Sequence, residues 1–428
     1  MGAVAAAGAA AAADMASANG TAQTNVAPPW GISRQTRDLQ WWGQVPWEAL
    51  HHRVRTVPTV PPQLHAEIAA RRGALADAVL TNAGSPLEDA AWKALVFADR
   101  LLFHAARPQR SGTRGQAERL STAIARRIAA LWRGDWATLW VASAEAVVTT
   151  AGRAGEDAQL RHDIKQIEAA LHDEDMRDVL RTVDGKVALA SDAKARGLLP
   201  GLFPAASGAA TFDGAADPTD ADMDRFRAEV RRAFCHSPRR RGPGPGGGRS
   251  EYWSWLPAHA EQWDKMRGVL RSMALGNFPR AALGAIMSAR VLALDREEDD
   301  KVRPLALGIF LRRAVSKATA RVFRGRVAEA LKGSEYSLGA GRGAEVMHRT
   351  VLLDLDSRPD AVKVSFDVSN AHNEFDRGCA WRAIQELVPA MAAWAWAPLV
   401  ATPTHVHVGE GGHETRLRKD RGATRAMP

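Results

Sequence analysis

Apolar residues recur at helical spacing through the first half of the chain. Ser85-Pro86-Leu87-Glu88 has the form of a capping box with proline at the first helical position, and apolar residues follow it on one face as far as Leu102. A second stripe over residues 116–132 separates apolar positions from arginines, and a third spans 160–171. These stripes are typical of helix-packing faces, and we expect residues 30–189 to be mostly helical.

Three segments lack this regular pattern. Residues 1–29 are mainly Ala, Gly, Ser, Thr and Asn, a composition that predicts a disordered tail. Tryptophans and prolines alternate over residues 30–60 and predict an irregular strap. Residues 190–250 lose periodicity and end in a Gly/Pro stretch after Arg239-Arg240-Arg241, which predicts a low-order segment and a flexible basic linker.

A period of two appears late in the chain, where apolar and polar residues alternate from Val362 to Asp367. This alternation predicts a strand with its apolar side chains on one sheet face and Asp367 on the other. Ser369 or Asn370 can then cap a helix, whose apolar face is formed by Trp381, Ile384 and Leu387. Asp367 at this strand-to-helix corner either holds a cation or is another helix cap.

Composition narrows the class of protein. A chain of 428 residues with 46% hydrophobic and 25% charged residues is not disordered, collagen-like or a disulfide scaffold, and its length favours more than one domain. Lys and Arg number 57 against 48 acids, and this net charge of +9 favours a polyanionic partner, although an arginine-rich proteome has the same effect. The two isolated cysteines and the lack of a membrane-spanning apolar run predict an intracellular protein, nuclear or cytoplasmic, with no membrane partner.

The last third of the chain carries four phrases in a recognisable order: Val302–Gly308 with Leu311–Lys317, Tyr336–Glu345, Phe366–Ala371 and Arg421–Pro428. Together they resemble the reverse transcriptase domain of non-long-terminal-repeat retrotransposons. The first resembles the fingers phrase, in which Arg-Pro-Ile introduces a helix of the Leu-Arg-Arg type. The second resembles the glycine-rich block before the palm, the third is similar to palm motif A, and the fourth resembles motif B.

The resemblance implies an α+β fold. A helical N-terminal region would be followed, over residues 251–428, by fingers and a partial palm with a small mixed or antiparallel sheet. It also implies an RNA template, a DNA primer and deoxynucleoside triphosphates as partners, with Mg²⁺ as cofactor. Nucleotide addition is an in-line phosphoryl transfer in which carboxylates hold two metal ions.

Individual site residues follow from the same resemblance. Asp367 would be the catalytic metal ligand, assisted by the backbone carbonyl of Val368. Arg303 would meet the incoming triphosphate, since its planar guanidinium suits phosphate oxygens.

Two matches depart from the family pattern. His372 occupies the position of the Phe or Tyr that lies beneath the sugar, and its smaller, polar imidazole is expected to discriminate poorly against ribose. In the motif B phrase Gly422 is kept, but Arg425 replaces a glutamine at a turn that contacts the template. Template handling is therefore expected to differ.

The sequence reaches Pro428 before any strand pair with a hydrophobic-x-Asp-Asp motif, and the acidic run around Asp299-Asp300 has no flanking apolar alternation. We therefore expect residues 1–428 not to extend a primer. One alternative is a non-catalytic basic protein that binds nucleic acid, with Asp367 merely structural. Another is the product of a decayed pseudogene.

Two other motifs admit simple structural explanations. Gly339–Gly343 is similar to a phosphate-binding loop. It lacks the full Gly-x-Gly-x-x-Gly spacing and the Lys-Ser/Thr ending of such a loop, so nucleotide binding there is not favoured. His405, His407 and His413 flank a glycine-rich turn and could hold a metal, but a partly exposed β-hairpin is the favoured interpretation.

Overall fold

A computed structural model describes residues 34–52, 54–105, 120–146, 189–203, 212, 217–237, 242–296, 301–332, 334–335, 343–358, 360–365, 370–409 and 414–418. These residues form helices and one small sheet, so the α+β prediction is correct at this level. The predicted tail, the third helical stripe and residues 339–342 lie outside them. No helix in this described part is both long and apolar enough to cross a membrane.

The described residues contain fourteen α-helices and four strands. The helices are α1 Arg34–Gly43, α2 His65–Thr81, α3 Glu88–Phe103, α4 Leu120–Arg133, α5 Trp136–Glu145, α6 Asp192–Leu198, α7 Asp220–Cys235, α8 Ala260–Ala274, α9 Arg280–Ile286, α10 Phe310–Ala330, α11 Gly343–Ser357, α12 Ala371–Glu374, α13 Arg377–Leu387 and α14 Ala392–Val400. The strands are β1 Ala289–Arg296, β2 Lys301–Gly308, β3 Thr404–Val408 and β4 Glu414–Arg418.

Helix α3 begins at Glu88 with Leu87 at its N-cap and no side-chain cap, two residues after Pro86, the predicted first helical position. The Ser85 hydroxyl accepts a hydrogen bond from the backbone N of Leu87 at 3.2 Å, and the Glu88 carboxylate accepts one from the backbone N of Gly84 at 3.0 Å. Both bonds stabilise the turn that leads into the helix, although neither is a bond of the predicted capping box. The apolar stripe that follows is buried, and the second stripe forms α4, so both predicted helices are confirmed.

The tryptophan-rich segment contains a helix, so the prediction of an irregular strap is wrong for α1. Trp42 is fully buried, with its ring centroid 5.8 Å from that of Phe97 and 5.4 Å from that of Trp136. Helix α1 packs on α3 through this cluster. Short helices gain most of their stability from packing of this kind, which local composition does not reveal.

One hydrophobic core contains residues from α1–α5, α7–α10 and α14. A buried polar network crosses it, because Arg72 Nη2 and Trp253 Nε1 donate to the two carboxylate oxygens of Asp99 at 2.6 and 2.7 Å. The Arg72 guanidinium also lies 3.6 Å from the ring centroid of Trp253. The predicted boundaries at 189 and 250 therefore do not divide this core.

Much of the predicted linker is folded, so the expectation of low order over 190–250 is wrong for its described parts. Thr219 caps α7 by accepting a hydrogen bond from the backbone N of Asp222, and Phe226 and Phe234 are buried in the core. A Cβ at Gly244 would lie 2.3 Å from the backbone oxygen of Gly308, so glycine is required by close packing rather than by flexibility. Arg239-Arg240-Arg241 lie outside the described residues.

His104, the residue after α3, gives the fold a dependence on pH. Burial is the main cause that lowers its pKa to about 4, and the charge of Arg127 adds to it. Because this value lies below the unfolded value of about 6.5, protonation favours the unfolded chain, and stability is lost as pH falls from about 6.5 towards 4.

We expect protonation of His104 alone to lower the free energy of unfolding by about 2 kcal/mol between pH 7 and pH 5. Urea denaturation of the wild type and of His104→Gln at both pH values measures this loss. Between pH 7 and pH 5, the fall in the free energy of unfolding should be about 2 kcal/mol smaller for His104→Gln than for the wild type. Equal losses in the two proteins would contradict the assignment.

The sheet is mixed, with strand order β2-β1-β3-β4. β1 pairs antiparallel with β2 and parallel with β3, and β3 pairs antiparallel with β4. The β3–β4 pair confirms the predicted hairpin at His405 and His407. Both imidazoles are buried rather than partly exposed, and His413 lies outside the described residues.

The predicted strand before Asp367 is not observed. Residues 361–365 have no strand structure, and Val362 and Val364 are 83% and 64% exposed. Alternation stabilises a strand only when a neighbouring strand and a packed face are supplied, and this stretch has neither in the described part of the chain. The helix that contains Trp381 is α13, and Asp376 caps it by accepting from the backbone N of Cys379, so the predicted cap at Ser369 or Asn370 is also wrong.

Candidate nucleic-acid interface

The four-stranded sheet presents several basic side chains on one surface. The arginines on it whose side chains the structure describes are Arg290, Arg303, Arg416 and Arg418, and we call this surface the arginine face. Arg290 pairs with Val406, which in turn pairs with Arg416, and residues directly opposite each other in a ladder share a sheet face. Arg303 pairs with Leu294, four residues along β1 from Arg290, so it lies on the same face.

The opposite sheet face is covered. Val291 and Leu417 pack against Ala195 and Leu199, which belong to α6 and its C-terminal end. On the same side, Lys194 of α6 donates to the Asp295 carboxylate of β1 at 2.7 Å. On the arginine face, Arg303, Arg416 and Arg418 are exposed, whereas Arg290 is half-buried and its neighbours Val406 and Leu307 are buried.

Charge on the arginine face is predominantly positive. Glu414 is the one acidic residue on this face of the four described strands, and its carboxylate lies 3.7 Å from Arg416 Nη2. The face also affects His51, whose pKa is lowered to about 4 first by burial and next by the charge of Arg416. A surface of this sign and geometry is suited to an anionic ligand.

The helix that follows β2 is tied to the segment that precedes β1. Arg312, the second residue of the Leu311-Arg312-Arg313 phrase, is buried and donates to the backbone oxygen of Met287 at 2.6 Å. Burial lowers its pKa to about 10. This bond ties the start of α10 to the end of α9, just before β1, so the phrase builds the scaffold on which Arg303 is displayed.

The two described histidines of the β3–β4 hairpin are packed inside the fold. The ring of His405 lies edge-on to that of Phe203, with centroids 5.9 Å apart. His407 Nδ1 lies 3.1 Å from the backbone oxygen of Val291. Across the described ranges, no group of three or more His, Cys, Asp or Glu side chains is placed to hold a metal ion.

Of the site residues derived from the sequence, Arg303 is the one whose side chain the structure places, exposed on β2. Asp367, Val368, Gly422 and Arg425 lie outside the described residues. His372 belongs to α12, and its side chain lies outside them too.

The neighbouring Asn370 adopts a left-handed backbone conformation and donates from its side chain to the backbone oxygen of Leu202 at 3.1 Å. It also bonds Glu374 within α12 at 3.1 Å. The Asn-Ala-His-Asn phrase is thereby joined to the turn that follows α6.

Sequence reasoning did not single out Arg290, Arg416 or Arg418. The spacing of Arg416 and Arg418 places them on one face of a strand, a signal that was readable. Their alignment with Arg290 depends on the parallel β1–β3 register, which no local pattern contains. No protein-family model and no curated protein matches the chain.

Proposed function

We propose that this chain is a part of an RNA-directed DNA polymerase of the non-long-terminal-repeat retrotransposon type. Its ligands would be an RNA template, a DNA primer and deoxynucleoside triphosphates. The observation that carries the proposal is the position of Arg303, exposed on a sheet whose other face is covered and whose following helix is anchored by a buried arginine. The order of the four phrases supports it.

Each matched residue has a role in this proposal. Arg303 would bind the triphosphate, because a guanidinium can donate two parallel hydrogen bonds to phosphate oxygens. The Asp367 carboxylate and Val368 carbonyl would hold Mg²⁺, which prefers such oxygen donors. When bound, this ion supplies charge stabilisation to the phosphoryl group in transfer. His372 would lie against the sugar, and Gly422 and Arg425 against the template.

The competing function is non-catalytic binding of nucleic acid. The arginine face favours it independently, because phosphate recognition by arginines requires no carboxylate. The two functions differ in their ligands. A polymerase binds a single triphosphate, and this binding depends on magnesium. A non-catalytic binding protein needs to bind only a polyanion. The product of a decayed pseudogene would bind neither the triphosphate nor the polyanion specifically.

Triphosphate binding separates these functions. Calorimetry with a deoxynucleoside triphosphate and Mg²⁺ should show that Arg303→Ala loses about 1.5–3 kcal/mol of binding free energy, since charged hydrogen bonds contribute that much. This corresponds to a Kd increase of about tenfold to a hundredfold. Arg133→Ala, which removes an exposed arginine from α4, is the matched control and should bind as the wild type does.

Asp367→Asn should abolish the dependence of this binding on magnesium. Asp356→Asn, an exposed change on α11, should leave that dependence intact. Binding of nucleic acid without any magnesium-dependent binding of triphosphate would favour the non-catalytic function instead.

A further inference from the structure

A groove runs between α7 and α8, two helices that carry none of the residues of the arginine face. Both helices pack on α10, and the short turn Leu256–Ala258 contacts both of them. The groove contains two adjoining cavities of about 360 and about 190 Å³, and both are lined by Arg227, Asp264 and Arg267. This region was not identified from the sequence, which assigned α7 to a linker.

Arginines from both helices line the groove. Arg227 and Arg231 belong to α7, and Arg267 and Arg271 belong to α8. Each pair is four residues apart, so its members lie on one helix face about 6 Å apart along the axis. The facing helices therefore present two guanidinium groups each to the same groove.

The carboxylates in the groove do not balance this charge. Asp264 lines both cavities and accepts from Arg267 at 2.6 Å, and Asp224 pairs with Arg227. Both ion pairs are exposed and lie within one helix, a type that contributes little stability. Two aspartates against four arginines leave a net charge of about +2, counting one unit charge for each group.

Two of the arginines have no carboxylate partner among the described residues. Arg231 donates to the backbone oxygen of Pro257 at 3.5 Å, a long and weak bond. The side chain of Arg271 makes no hydrogen bond or ion pair within the described part of the chain. Both guanidinium groups are exposed and are available to an anion in the groove.

The floor of the groove is apolar. Met223, Phe226, Val230 and Trp263 line it, and all four side chains are buried in the core. Because the Trp263 ring is only 3% exposed, it offers no face on which a base could stack. The polar groups that line the groove are therefore suited to bind charge, and its aromatic floor is not suited to bind a base.

We propose that this groove binds the phosphodiester backbone of a single nucleic-acid strand. Guanidinium forks match phosphate oxygens, and two arginine pairs on opposite walls can contact successive phosphates of an extended strand. A duplex presents its phosphates on a convex surface, which does not enter cavities of this size. This site does not depend on the proposed polymerase function, since it uses neither Arg303 nor Asp367.

Fluorescence anisotropy of the full chain with labelled oligo-dT, in EDTA, tests the groove. The double variant Arg231→Ala/Arg271→Ala should bind more weakly than the wild type, and its plot of log K against log salt should be less steep by about 1.4, or 0.7 for each lost phosphate contact. Arg126→Ala/Arg133→Ala on α4 removes the same charge elsewhere and should leave the slope unchanged. All four residues are exposed, so both variants should keep the wild-type Tm.

Equal effects of the two double variants would overturn the proposal, because general charge and not the groove would then explain binding. An unchanged slope in the groove variant would also overturn it. Displacement of oligo-dT by polyglutamate as effectively as by unlabelled strand would assign the groove to acidic peptides instead. Arg303→Ala, which tests triphosphate binding, should leave oligo-dT binding in EDTA intact, so the two proposals fail independently.

Discussion

Replacement of Arg72 by methionine should lower the free energy of unfolding by about 3–5 kcal/mol, the usual cost of removing one partner of a buried ion pair. Arg72 is fully buried, bonds the Asp99 carboxylate at 2.6 Å and also donates to the backbone oxygen of Tyr252. Burial already raises the pKa of Asp99. Without Arg72, this carboxylate would keep the Trp253 indole as its remaining donor in the network.

Urea denaturation followed by far-UV circular dichroism measures the loss. Arg133→Met is the matched control, because it breaks an exposed Arg133–Asp135 pair at 2.9 Å and should cost less than about 1 kcal/mol. The double variant Arg72→Met/Asp99→Leu should recover part of the stability, since no charge is then left buried. If Arg72→Met lowered the free energy of unfolding no more than the control does, the network of Arg72, Asp99 and Trp253 would not be a centre of stability.

Trp42→Ala should destabilise the protein by about 3–5 kcal/mol, as expected when a large aromatic side chain is removed from a packed core. The Trp42 ring is surrounded by aromatic neighbours, with centroids 4.9 Å from Trp41, 5.8 Å from Phe97 and 5.4 Å from Trp136. Alanine would leave a cavity where α1, α3 and α5 meet. The indole Nε1 has no hydrogen-bond partner among the residues that the structure describes, so the loss is one of packing.

Two comparisons isolate this effect. Trp42→Phe keeps an aromatic ring and should cost clearly less than Trp42→Ala, because most of the core volume remains filled. Trp132→Ala removes a tryptophan that is 47% exposed, and it should cost about 1 kcal/mol, the scale of its contact with the Arg71 guanidinium at 4.8 Å. Equal losses for Trp42→Ala and Trp132→Ala would show that the aromatic cluster is not a centre of stability.

Local patterns predicted the elements whose stabilising contacts are themselves local. The start of α3 was predicted to within two residues because Ser85 and Glu88 bond amides only a few residues away, although they do not form the predicted capping box. The β3–β4 hairpin was readable because its strands are close in sequence and flank a glycine-rich turn.

The failures have the opposite cause. Residues 361–365 alternate like a strand but have no pairing partner in the described structure, and alternation alone does not stabilise extended backbone. Helix α7 was assigned to a linker because glycine and proline surround it, although Phe226 and Phe234 anchor it in the core.

By itself, the sequence determined that this is a basic α+β chain with particular helices, a late hairpin and four phrases in a set order. Which arginines act together was decided only by the tertiary structure. Arg303 joins Arg416 on one face through strand register, Arg227 and Arg267 line the same two cavities through the packing of α7 and α8 on α10, and Arg72 meets Asp99 inside the core. The physical reason is that periodicity describes one element, whereas charge and burial depend on neighbours distant in sequence.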